Sequence, residues 1–166
     1  MIQNAIKHDI TKLNTLYILL GKSNGNISFY KDLIFFHHQA LYSSYPKYNF
    51  NLRLPYKFTI SPNESKLIDF NIKLLMKNKN YENINFKIGP TNEMYNSRLE
   101  FDVSKTIDSN INRNITYKFN NRSNKVISLK NKDMDLLQIY NYNLKPFHVK
   151  LCQNEIEFNP DAMAYL

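Results

Sequence analysis

The residue types best suited to chemistry are few and poorly grouped. His37 and His38 form the one adjacent pair among four His. The nearest carboxylate is Asp32, whose helical partners three and four positions on are Phe35 and Phe36. Adjacent residues also point apart on a helix, so the pair reads as helix surface and not as a metal site. Asp133 and Asp135, two apart, fit a solvated turn. Cys152 is the only cysteine, which excludes an intrachain disulfide and any multi-cysteine zinc site. It reads as a small buried apolar residue. Three glycines are too few for a phosphate loop, a dinucleotide-binding turn or a serine-nucleophile elbow. The surplus is tyrosine, 12 in all. Tyr42, Tyr45, Tyr48, Tyr140 and Tyr142 suit either a partner-facing surface or strand packing.

The elements that would hold these residues fall into two regions. From Met1 to Ser44, apolar residues recur at Ile6, Ile10, Leu13, Leu16, Tyr17 and Leu20, the spacing of one helix face. Asp9 fits an N-cap and Gly21 a stop. A second helix from Ser28 would carry Phe29, Leu33, Phe36 and Leu41, ended by Pro46. This helical arm, residues 1–44, serves either for docking or for packing on its own domain. From Tyr48 the period becomes two. Short alternating runs recur around Phe50–Leu54, Tyr56–Ile60, Leu67–Leu75, Asn83–Ile88, Leu99–Val103, Ile115–Phe119, Val126–Leu129, Leu136–Tyr140 and Phe147–Leu151, with turns between. That pattern predicts a mainly β, antiparallel domain over residues 45–151 of jelly-roll or barrel type. A tail, 152–166, follows.

Composition sets the class. The 166 residues, 43% hydrophobic and 14% aromatic, fit one folded domain and exclude wholesale disorder. The longest apolar runs, Leu16–Leu20 and Leu33–Phe36, are far short of a membrane span. No secretory signal is visible after Met1, so the expectation is a protein that is not secreted. The net charge is +8, which makes nucleic acid a possible partner. Against that, the four arginines (Arg53, Arg98, Arg113 and Arg122) are few and the lysines scattered. The abundance of Lys, Asn, Ile, Tyr and Phe also matches A/T-rich codons.

Several collinear segments resemble the trimeric dUTPase family. Tyr56–Lys73 resembles its strand, Pro-x-Glu turn and following strand. Phe86–Asn92 resembles the segment ending in proline-arginine-serine-glycine, and Thr106–Asn110 the hairpin with its aspartates. Asn120–Gln138 resembles the strand and turn leading to a glutamine. The resemblance spans residues 45–146 and implies hydrolysis of dUTP to dUMP and pyrophosphate. In that reaction a carboxylate activates water, and Mg²⁺ and basic groups balance the triphosphate.

Asp108 falls at the hairpin carboxylate and Gln138 at the glutamine, although its spacing from the preceding aspartate does not match. The rest is eroded. Asn49 lies where an aspartate near the metal is expected, and an amide attracts a hard dication less. Thr91-Asn92 replaces the phosphate-contacting arginine-serine pair. Ile111 stands where a tyrosine would meet deoxyribose, and Lys105 where a small residue would lie beneath uracil. The turn Lys130–Asp133 lacks its glycine. The family also closes its site with a glycine-rich C-terminal segment. Here Cys152–Leu166 contains no glycine and carries Glu155, Glu157 and Asp161.

These residues lead to an expected non-catalytic structural or interaction subunit on a degenerate dUTPase-like fold. A viral or phage virion protein, capsid-associated, is the concrete form, located in the virion or host cytoplasm. The vestigial site residues are Asp108, Gln138 and Asn49. No cofactor is expected, with Mg²⁺ required only if the chain is an active or residual dUTP hydrolase. A basic subunit of an organellar ribonucleoprotein is a further alternative. The expected assembly is a homotrimer, or a larger complex entered through the tail, whose apolar Phe147, Val149, Leu151, Ile156 and Phe158 would otherwise lie half-buried.

Overall fold

The computed structural model describes residues 9–43, 45–101, 104–129 and 135–160. Its architecture is mainly β. One sheet has the order β11-β1-β4-β5, formed by β1 (Thr15–Leu20), β4 (Ser65–Lys77), β5 (Asn83–Ile84) and β11 (His148–Leu151), with β8 (Asn114–Asn120) also paired to β4. A second, four-stranded sheet runs β2-β10-β6-β7, formed by β2 (Asn49–Arg53), β6 (Phe86–Pro90), β7 (Lys105–Ile107) and β10 (Asp135–Tyr140). A ribbon joins β3 (Phe58–Ile60) to β9 (Ile127–Leu129). Every pairing is antiparallel except β1 with β11. Three α-helices, α1 (Ile27–Leu41), α2 (Asn92–Asn96) and α3 (Glu155–Phe158), and a short 3-10 helix complete the described residues.

The inward faces of both sheets feed one core. Leu16, Ile18, Phe50, Leu52, Phe70, Ile72, Phe86, Ile88, Phe119, Leu137 and Ile139 are all buried in it. Each comes from an alternating run, so the period of two on the page is the period that places side chains inside.

The first half of the expected helical arm is a strand. Asp9 does cap a helical turn, its Oδ1 accepting from the Thr11 N–H at 3.0 Å, but the turn is a 3-10 helix of three residues, Ile10–Lys12. Thr15–Leu20 then runs as β1 between β4 and β11. Thr15, Tyr17 and Ile18 favour extended backbone, and Leu16 and Ile18 alternate into the core. Its backbone pairs with β4 over Thr15–Leu20 and with β11 over Thr15–Ile18, which outweighs a three-and-four spacing that this short run also permits. Ile6 lies outside the described residues.

The second helix exists, starting at Ile27 and not at Ser28, with Asn26 as its N-cap. It spans the two sheets at one side. Its Tyr30 hydroxyl accepts from the Arg53 N–H of β2 at 3.1 Å, and His37 Nε2 lies 2.6 Å from the Phe147 carbonyl beside β11. His37 is therefore interior, 1% exposed, and the surface reading of the pair fails for it. The period of α1 aims Tyr30, His37 and Leu41 inward together.

As far as Pro160, the described part of the tail is also folded back. Phe147 and Val149 are buried, β11 pairs with β1 of the same chain, and Phe158 packs on Leu75 and Cys152. Asn154 caps α3 by accepting from the Glu157 N–H at 2.9 Å. Glu155 reaches Lys73 at 2.6 Å. Of the apolar tail residues, Ile156 is exposed and Leu151 half-buried. The expectation of a half-buried strand awaiting a neighbour is corrected, because β1 supplies the partner that strand needed. The alternation expected at Leu99–Val103 yields only a bridge from Glu100 to Asn120; Asp102 and Val103 lie outside the described residues. No helix of the described residues is long and apolar enough to cross a membrane.

Candidate functional site

The outward face of the four-stranded sheet collects the polar residues. On β2, Phe50 and Leu52 point inward, leaving Asn49, Asn51 and Arg53 outside. On β10, Gln138 and Tyr140 face the same way, and the register sets Gln138 against Asn51 on one side and Gly89 on the other. A pocket of about 270 Å³ opens here, lined by Asn49, Asn51, Thr91, Asn92, Glu93, Asp135 and Gln138. Thus the chain brings Asn49 and Gln138 together, with the Thr91-Asn92 pair beside them.

The contacts in this pocket are mostly turned inward. Asn49 Nδ2 donates to Gln138 Oε1 at 2.7 Å, and Gln138 Nε2 donates to the Pro90 carbonyl at 3.0 Å. Thr91 Oγ1 donates to the Asp135 carbonyl at 2.5 Å, and Glu93 Oε2 accepts from the Asp135 N–H at 2.8 Å. Arg53 Nε lies 3.6 Å from Asp135 Oδ1, while its guanidinium sits 3.4 Å over the Phe29 ring. Arg53 is thus held by an aromatic face of α1 and a carboxylate of β10.

Asp108 stands elsewhere. It lines a separate pocket of about 180 Å³ with Leu74, Lys105, Ile111, Arg113 and Asn114. Its Oδ1 accepts from the Asn110 N–H at 2.9 Å and its carbonyl from the Ile111 N–H at 3.1 Å, so the carboxylate stabilises the turn after β7. Lys105 Nζ donates to the Thr116 carbonyl at 2.8 Å and lies 5.4 Å from the Tyr117 ring centroid. Ile111 is exposed.

A hard dication needs several free oxygens; at the first pocket Glu93 Oε2 holds a backbone N–H, Asp135 faces Arg53, Asn49 presents an N–H toward Gln138, and Asn51 Oδ1 is left without a hydrogen-bond partner. Among the described residues, no group of three His, Cys, Asp or Glu converges on a point that could hold a metal.

Sequence reasoning missed Asn51, Arg53, Glu93 and Asp135. The first two share the outward phase of Asn49, a signal legible in the alternation of β2. Asp135 read as a turn residue and is instead the first residue of β10; Asp133 lies outside the described residues. Of the tyrosines, Tyr42, Tyr45, Tyr48 and Tyr142 are exposed and Tyr140 is partly buried.

The chain is similar in structure to dUTPases. An aspartate-to-asparagine variant of the dUTPase from phage phi11 of S. aureus matches over 68% of this chain and 86% of that one, at 10% identity and TM-score 0.47. A variant of the dUTPase of Staphylococcus bacteriophage 80alpha matches over 65% and 83%, at 10% identity and TM-score 0.46. Native EIAV dUTPase matches over 66% and 85%, at 18% identity and TM-score 0.45. At such values no site transfers from one chain to the other. No family model matches the sequence. No curated protein matches it either.

Proposed function

We propose that the chain is a non-catalytic structural or interaction subunit on a degenerate dUTPase-like fold, in concrete form a capsid-associated virion protein of a virus or phage. The observation that carries the reading is the Asn49–Gln138 amide pair, closed at 2.7 Å. Phosphoryl transfer depends on positioned positive charge and a metal to neutralise the triphosphate. Here the corresponding face offers neutral amides, with Glu93 and Asp135 beside them. The glycine-free segment after Cys152 is in part committed to α3, and Glu155 is tied to Lys73. Assembly as a homotrimer belongs to this reading, with the exposed tyrosines and the outer surface of α1, including Phe35 and Phe36, as contact area.

One observation favours residual hydrolysis: Asp108 retains its carboxylate in a pocket with Arg113. Incubation with dUTP and Mg²⁺ separates the two readings. The subunit reading expects pyrophosphate release at the buffer level. Turnover that vanishes in Asp108→Asn establishes the hydrolase instead.

A further inference from the structure

We propose that the outward face of the β2-β10-β6-β7 sheet binds single-stranded nucleic acid, with amino-bearing bases at the Asn51–Asp135 end and the strand's backbone toward Lys87. The inference goes beyond the subunit reading and stands whether or not dUTP is hydrolysed.

Two sets of residues converge on this face. The first is a row set by the strand register: Asn49, Tyr140, Lys87 and Thr106 lie side by side on the four strands. Tyr142, 55% exposed, joins this row just past β10. Its hydroxyl shares a hydrogen bond with Thr106 Oγ1 at 2.6 Å, and Lys87 Nζ lies 4.8 Å over its ring. An exposed aromatic ring whose orientation is fixed from both sides is a ready stacking surface for a base. The adjacent ammonium supplies charge for a phosphate. The chain's net charge of +8 has the sign that a polyanion requires.

The second set lies one row away along the strands, at Asn51, Gln138 and Gly89. Among the described residues, four buried side-chain N or O atoms have no hydrogen-bond partner. Three of them cluster at this end of the face: Asn51 and Asp135 line the pocket, each with an Oδ1 that accepts no hydrogen bond, and Arg53 Nε faces Asp135 Oδ1 as an ion pair at 3.6 Å, beyond hydrogen-bond reach. Buried polar atoms without partners are costly, and clustered ones mark where an outside group completes the bonding. Two of the three are acceptors. They call for N–H donors. The Watson–Crick edges of cytosine and adenine offer an exocyclic amine, which carboxylates and amide oxygens accept. Uracil and thymine present a carbonyl there, which faces repulsion. The carboxylates disfavour phosphate at this end, so base and backbone are sorted to opposite ends of the face.

The test is fluorescence anisotropy of the full chain with labelled oligo(C) and oligo(U) of about ten nucleotides, at about 50 mM salt and above. The expected result is binding that favours oligo(C) about fivefold or more, for a single amine-to-carbonyl change at the base edge. Tyr142→Ala weakens it about tenfold by loss of stacking. Lys87→Glu weakens it and flattens the salt dependence, whereas Lys125→Glu, with the same charge change in the β8–β9 turn, stays within about twofold. Asp135→Asn levels the preference for C over U. Both Tyr142 and Lys125 are exposed, so these variants keep the core intact, as melting curves would verify. The proposal is overturned by absence of binding, by equal losses in Lys87→Glu and Lys125→Glu, by a preference for duplex, or by sedimentation and crosslinking that place a second protein copy across Tyr142.

Discussion

His37 Nε2 lies 2.6 Å from the carbonyl oxygen of Phe147. A carbonyl can only accept, so the neutral ring carries its proton on Nε2. Burial among Phe50 and Phe147 disfavours the charged form and holds the imidazole down at about 4, against 6.5 for a free one. His38, Lys47 and His148 add to the same effect, while the bond to Phe147 opposes it. This contact ties α1 to the edge of the first sheet.

A pH dependence of stability follows from that lowered value. The unfolded chain binds a proton near pH 6.5 and the folded chain only near 4. The stabilisation is therefore complete above pH 6.5 and is lost as pH falls toward 4, amounting to about 3 kcal/mol. Urea unfolding at neutral pH and at about pH 4.5 measures it. The difference between wild type and His37→Gln isolates His37 from the carboxylates that titrate in the same range.

Gly21 marks a close approach between β1 and the bend of β4. Its N–H donates to the Asn71 carbonyl at 2.8 Å, and a Cβ added there would stand 1.7 Å from Asn71 Oδ1. Asn71 sits at φ 53, and its Nδ2 donates to Ser23 Oγ at 2.6 Å, so its side chain cannot swing away without losing that bond. Gly21→Ala should cost about 1–3 kcal/mol. Asn71→Gly tolerates the backbone angle and should recover most of the loss in the double variant. Thermal melts of the four proteins of the cycle decide this.

Cys152 is buried against Leu75 and Phe158, and burial pushes its thiol up to about 11, with Glu157 acting in the same direction. At neutral pH the thiolate is scarce and shielded. The native protein should react with a thiol reagent only as fast as α3 opens. In denaturant the reaction should be immediate. Rapid labelling of the native protein would show that α3 is not docked.

Phe158 is 3% exposed and anchors that same helix. Phe158→Ala should cost about 3 kcal/mol of stability. Sedimentation should be unchanged, because the residue packs on its own chain. A variant that dissociates an oligomer at unchanged melting temperature would return the tail to the role of an intermolecular strand.

Most β strands were legible because their alternation survives in the chain: Asn49–Arg53 and Asn114–Asn120 send every second residue into the core, and β4 does so at Ile68, Phe70, Ile72 and Leu74 before its last residues are buried on both faces. Thr15–Leu20 was not, because Leu13, Leu16, Tyr17 and Leu20 satisfy two periods at once. Only the partners on either side, β4 and β11, decide between them. The burial of Phe158 depends on where the chain returns, which no local pattern encodes. Of the site, Asn49 and Gln138 were each named through a resemblance, and their contact comes from the β2–β10 register, which no local pattern encodes either. Asp135 and Glu93 were invisible because they meet through one backbone N–H across 42 positions.

The Asn49–Gln138 face should not accept a triphosphate. Calorimetric titration of the protein with a non-hydrolysable dUTP analogue and Mg²⁺ addresses this without depending on turnover. The account predicts no saturable heat up to about 1 mM ligand. Saturable binding in the micromolar range, weakened by Asp108→Asn or by disrupting the amide pair with Gln138→Ala, would contradict it.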